Sequence, residues 1–320
     1  MVLFGKYKCL FSIFRNFYQK YFQNLYFFQF ISIKQLFFGL ISIRIIQLSS
    51  FLAFIRAIFR NFASLKNYVT MNYFKYMLEN AYVVKNLLII NVLAFFATML
   101  LDARFGLDIT EYGAVYYFDS SRYMPWQMFT SPFLHGNFTH LFYNMFALFM
   151  FGCIIERAMD SKKFLLYYMA CAIGAIFVQW VADAIMIQTL NISAADIETV
   201  KTEGVGLIQR GLNYSDAYLP DLSRLNLIYN VGMVGASGAI YGVLLAFGMI
   251  FPNRPIYLYF IMPIKAKWLV LGYGAIELFS GLSNNMYDNV AHFAHLGGMF
   301  FGLLILLYWH KTGKIYFYND

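Results

Sequence analysis

The chain has 320 residues, of which 61% are hydrophobic, 21% aromatic and 12% charged. A soluble domain carries about a quarter charged residues, so a soluble core is excluded, and several apolar runs approach the ~20 residues needed to cross a bilayer. The net charge of +8 is unevenly spread: residues 1–78 hold ten Lys or Arg and no acid, whereas the remainder holds 14 basic and 16 acidic residues. The excess charge therefore belongs to an aromatic N-terminal extension, not to a patterned basic face, and nucleic acid is excluded as a partner.

Three regions follow from composition: the extension over residues 1–80, a membrane domain over 81–315, and a short cytoplasmic tail over 316–320. Three readings of the extension stay open. It is an interfacial segment on an anionic membrane, a basic and acid-poor organellar targeting segment, or upstream sequence preceding a true start at Met71. The last is favoured, and the extension is assigned no chemistry. Cys9, Cys153 and Cys171 form no metal-type pair and no disulfide framework.

From Val83 onward the hydropathy predicts an all-α protein of six transmembrane helices. The spans are Leu87–Leu101, His140–Ile155, Phe164–Ile187, Val231–Phe251, about Lys265–Leu282, and Val290–Trp309. Basic residues such as Lys85, Arg157, Lys162, Arg254, Lys265 and Lys311 all fall on one side, which should be the cytoplasm. The opposite side carries a large first loop, Asp102–Thr139, and a long polar loop, Gln188–Asn230, leading to the fourth span.

Polar residues recur at one depth in these spans. Ser237 and His295 each lie 14 residues before the cytoplasmic end of their span, and His140 lies 15 before. At ~1.5 Å per residue all three sit about 21 Å above that end, with Asn144 one turn lower. Ionisable residues in a membrane are a functional hypothesis by default. Ser237 is flanked by Gly235 and Gly238, and His295 is followed by the small-xxx-small pair Gly298 and Gly302, which allow close helix approach.

With this order and spacing, the chain resembles the rhomboid intramembrane serine proteases over about Tyr82–Lys314. Gly235-Ala236-Ser237-Gly238 matches the family's nucleophile motif. Ala294-His295 with Gly298 and Gly302 matches its base helix, and His140 with Asn144 matches its second-span signature. His135 and Trp126-Gln127 match its first large loop, and Glu156-Arg157 the end of the second span. One departure is Asp160, where the family usually has glycine.

The resemblance implies a six-helix rhomboid-like bundle that cleaves single-pass transmembrane proteins in the lipid bilayer near the outer face. Ser237 would be the nucleophile and His295 the base. His140 and Asn144 would donate to the oxyanion. Tyr241 would stack on the histidine, with Gly235, Gly238, Gly298, Gly302 and His135 in support. No cofactor is expected. His135, His140, His292 and His295 are rejected as a metal site because no carboxylate is spaced to complete one. Asp288 falls in a loop, so a Ser-His dyad without an acid is expected, and His292 is the lesser candidate for base. The expected location is a bacterial inner membrane. A non-catalytic relative that binds membrane clients is the alternative. A transporter lacks the inverted repeat it would need. Oligomeric state and natural substrate stay open.

Overall fold

The computed structural model describes residues 76–215, 218–258, 262–283 and 290–318. The N-terminal extension up to Lys75, including Met71, and Asp288 lie outside the described residues. Met77–Ile256 and the described residues from Ile264 onward belong to one compact unit, and that unit is built of helices.

Helix α1 spans Tyr82–Phe105 and has no capping side chain of its own. Glu156 supplies the cap. Its carboxylate accepts from the backbone N–H of Val83 at 2.9 Å and of Val84 at 2.8 Å, and from Ser161 Oγ at 2.6 Å. Glu156, at the end of the second span, is thus a lock on the first. α1 ends at Gly106, whose left-handed backbone (φ 63°) turns its N–H back to Asp102 O.

The connection to the next span is structured by α2 (Ile109–Gly113), α3 (Gln127–Thr130) and a 3-10 turn (Ser131–Phe133). Gln127, fully buried, holds it together. Its amide donates to the carbonyls of Tyr112 and Arg122 and accepts from Met124 N–H. Trp126 is 53% exposed, and its indole N–H reaches Tyr112 O.

The second span is α4 (Phe138–Ala147), a π turn (Leu148–Gly152) and α5 (Cys153–Met159). Asn137 caps α4 by accepting from His140 N–H at 2.8 Å. The third is α6 (Ser161–Thr189), capped by Asp160, which accepts from Lys163 N–H.

The segment expected as a polar loop contains two helices, α7 (Ala194–Gln209) and α8 (Pro220–Asn230). Ser193 and Asp196 form a capping box, and proline opens α8. Tyr117, Val200, Leu225 and Tyr229 make a small second core that ties these helices to the first loop. Lys201 Nζ and Tyr229 OH bind Asp119 at 2.8 and 2.9 Å, holding its carboxyl below the ordinary range.

α9 covers only Ser237–Ile250, not the Val231–Phe251 expected. The preceding residues pair outward: Met233 bridges to Val115, and Gly235 N–H donates to Ser131 O at 3.0 Å. A short hairpin of β1 (Pro255–Leu258) and β2 (Met262–Lys265) leads to α10 (Ala266–Ser283), and α11 runs His292–Lys311.

Among the described residues, four helices are long and apolar enough to cross a membrane: Tyr82–Phe105, Phe138–Met159, Ser161–Thr189 and His292–Lys311. Their outward faces carry large apolar side chains, such as Leu93, Leu166 and Ile185, as lipid contact requires.

Two stability outcomes follow. Glu156→Ala strands buried N–H groups at the start of α1 and is expected to destabilise by about 1–3 kcal/mol, read as a lower melting temperature in detergent. Asp160 is the one non-glycine residue with positive φ among those described (φ 71°, ψ 157°). That region is nearly glycine-only and costs about 1–3 kcal/mol, whereas glycine at an N-cap loses a few tenths of a kcal/mol. Asp160→Gly should therefore melt above the wild type, and Asp160→Ala, which keeps the strain and loses the cap, below it.

Candidate active site

Ser237 is the first residue of α9, His295 the fourth of α11 and His140 the third of α4. Three helix N-termini, with their positive dipole ends, thus meet at one place. α11 has no capping side chain of its own. Gln179 of α6 fills the gap, accepting from Ala294 N–H at 3.1 Å.

His295 Nε2 lies 2.9 Å from Ser237 Oγ. The imidazole is buried and stacks on Tyr241, with ring centroids 4.2 Å apart and planes at 10°. Glycine permits this approach. A methyl on Gly298 would overlap the carbonyl oxygen of Gly238, and one on Gly238 would collide with Ala175. One on Gly302 would strike Tyr167, whose hydroxyl donates to Gly242 O at 2.7 Å.

Gly235 has φ 127°, a value L side chains rarely adopt, and a methyl there would lie 2.7 Å from His140 Cε1 and Nε2. The His140 ring therefore rests against the backbone segment that delivers Ser237. Asn144 is buried on the same face of α4, and its Nδ2 has no hydrogen-bond partner among the described residues. His135 stacks edge-on to His140 with centroids 5.1 Å apart. Burial, and His140 beside it, pull His135 down to about 3, so it is neutral at physiological pH.

One group was not anticipated. Glu277 of α10 is buried, and its carboxylate faces the histidines: Oε2 lies 2.6 Å from His292 Nδ1 and 3.0 Å from His295 Nδ1, while Oε1 accepts from Tyr241 OH. The contact to His295 is off the line of a well-aligned hydrogen bond. The expectation that no acid approaches the histidine is thus corrected, and so is the ground for dismissing a metal. The ligand atoms of Glu277, His292 and His295 lie within 4.8 Å of one another, close enough to hold an ion. The readable signal was a lone acid in the apolar run Trp268–Ser283. His292 touches this carboxylate, whereas the ring nitrogen at Ser237 is that of His295.

An uncharacterised mitochondrial rhomboid protein of Schizosaccharomyces pombe is 27% identical over 199 residues, 57% of this chain and 50% of that protein. Rhomboid protein 1, mitochondrial, of Saccharomyces cerevisiae is 27% identical over 183 residues, 57% of this chain and 41% of that protein. Rhomboid protease AarA of Providencia stuartii is 29% identical over 187 residues, 56% of this chain and 54% of that protein. The chain spans about half the length of the curated relatives it matches. The Rhomboid domain profile matches residues 122–197 and 204–312, more than half of the chain, which therefore belongs to the rhomboid family.

Proposed function

We propose that this protein is an intramembrane serine endopeptidase acting on single-pass transmembrane proteins, with Ser237 as nucleophile and His295 as base. The observation that carries the reading is the 2.9 Å contact between Ser237 Oγ and His295 Nε2 at the meeting point of three helix N-termini. In this reading α9 and α10 are the fourth and fifth of six spans. α9, 14 residues long, reaches ~21 Å, so its N-terminal Ser237 stops short of the far face and lies where water can enter from the side opposite the basic loops. A substrate helix that unwinds there exposes its backbone carbonyls.

The steps follow from the atoms in place. Ser237 Oγ attacks the carbonyl carbon as its proton passes to His295 Nε2. The oxyanion is met by the Ser237 backbone N–H, Asn144 Nδ2 and the His140 ring. The unpartnered Nδ2 of Asn144 supports that role, since a buried donor without an acceptor is costly unless a ligand completes it. Collapse breaks the C–N bond, His295 returns the proton to the leaving amine, and an acyl-enzyme remains. Water then attacks it, losing a proton to His295; the C–Oγ bond breaks as His295 returns that proton to Ser237 Oγ, and the new carboxyl is released. The alternative, a client-binding relative without catalysis, would not need the Ser237–His295 contact.

Cleavage of a tagged single-span reporter in proteoliposomes tests this. Wild type should cleave, and Ser237→Ala and His295→Ala should not. Asn144→Ala should lower kcat about 10²-fold. Cleavage unchanged in both the serine and histidine variants would sink the mechanism, and no cleavage by wild type would favour client binding.

For location, the bacterial inner membrane loses ground to a mitochondrial one. Two of the relatives above carry mitochondrial names, and residues 1–78 are basic and acid-free, as organellar targeting segments are. A fluorescent fusion in a eukaryotic host should coincide with a mitochondrial marker; a plasma-membrane signal would count against it.

A further inference from the structure

We infer that Glu277 is a positioning residue for His295: it fixes the tautomer of the imidazole, while Ser237 and His295 remain the reacting pair. This deepens the protease reading and rests on it.

The argument begins with solvation. A carboxylate in a membrane helix persists only when its oxygens are satisfied, and Glu277 is 6% exposed. Its partners are Tyr241 OH on Oε1, and His292 Nδ1 and His295 Nδ1 on Oε2. All of them belong to the neighbourhood of the reacting pair, and Tyr241 also stacks on the His295 ring. The carboxylate is thus anchored by the residue that orients the histidine.

Proton placement follows. An ionised carboxylate accepts hydrogen bonds and donates none. Beside it, His295 carries its proton on Nδ1, which leaves the lone pair on Nε2, the nitrogen 2.9 Å from Ser237 Oγ. That is the tautomer a general base needs. When Nε2 takes the serine proton, the imidazolium formed lies against Oε2 and is stabilised where it appears. The off-axis Nδ1 contact at 3.0 Å is of the kind that tightens when the reacting complex forms.

The same three groups could ligate a cation, but a cation on His295 Nδ1 would lock that ring away from the proton cycle. The proton-bridged arrangement fits both the contact distances of 2.6 and 3.0 Å and the base's task.

The test compares Glu277→Gln with Glu277→Ala in the same reporter assay. Glutamine carries no charge to stabilise the imidazolium, and its N–H turned toward Nδ1 favours the opposite tautomer, with Nε2–H against the serine. Its kcat should fall at least ~10²-fold with KM within about threefold. Alanine imposes no tautomer and should lose less. A packing role would give the reverse order, alanine worse than glutamine, and that order overturns the inference. So does a glutamine variant at the wild-type rate, or a loss confined to KM.

If either variant fails to fold, as judged by melting in detergent, Tyr241→Phe decides. It keeps the stacked ring and frees Glu277 Oε1, and should lower kcat about 5–10-fold at constant KM, the effect of losing one hydrogen bond to a charged group; a wild-type kcat overturns the inference. Chelation with EDTA should leave the wild-type rate unchanged, and a rate lost to EDTA assigns Glu277 to a metal instead. Ser237→Ala separates the two claims: cleavage retained there defeats the protease reading itself, whereas its loss alongside a fully active Glu277→Gln defeats only this one.

Discussion

Two backbones touch where Gly298 of α11 faces the carbonyl of Gly238 in α9, and the geometry of the site descends from that contact. Helices with ordinary side chains pack about 8–10 Å apart, too far for a serine at the end of one to meet a histidine near the end of the other without a long reach. Glycine on both sides removes the spacer. α6 closes the third side in the same manner: Gly174 admits Phe301, and Gly297 lies against Ala175 and Val178. In lipid no hydrophobic effect presses helices together, so close packing of small residues has to do it. The Ser237–His295 distance is in this sense a packing distance.

The second constraint is where the helices stop. Continuing α9 upward to Val231 would bury Ser237 in mid-helix, with its backbone N–H bonded within the helix. The chain instead leaves the helix at Gly235 and spends the hydrogen bonds of Met233 and Gly235 on Val115 and Ser131 of the first loop. The N–H groups of the first turn of α9 then have no intrahelical partner. The first loop, braced by Gln127 and by the Asp119 contacts to Lys201 and Tyr229, therefore positions Ser237 in a mechanical sense, because it terminates the helix that Ser237 begins.

Much of this was legible in the amino-acid sequence, for identifiable reasons. The depth count put His140, Ser237 and His295 at one level from span ends at Ile155, Phe251 and Trp309; in the structure the helices end at Met159, Ile250 and Lys311, and what the three residues share is a place in the first turn of a helix. Asp160, a departure from glycine, proved to be a residue whose backbone still asks for glycine. The start of α9 was misjudged because Val231–Ala236 is as apolar as a span, and only its pairing partners, distant in sequence, reveal it as extended. α7 and α8 were readable in principle from Ser193, Asp196 and Pro220, but a polar stretch between spans has no apolar period long enough to prompt the search.

Glu277 was missed for a deeper reason. Periodicity reports which residues share a face of one helix, and the spacing of ligating or catalytic motifs reports pairs within a segment; neither speaks of a side chain arriving from a neighbouring helix. Its signal is energetic. A lone carboxylate in an apolar helix must be satisfied by something, and donors able to satisfy it, Tyr241, His292 and His295, were already visible for other reasons. Each of these three was also underemployed by a two-residue mechanism: a hydroxyl on a ring needed only for stacking, a second histidine a turn from the first, and an imidazole whose Nδ1 had no assigned partner. A polar group in a membrane with no stated task predicts another polar group facing it, and on α10 the candidate is Glu277.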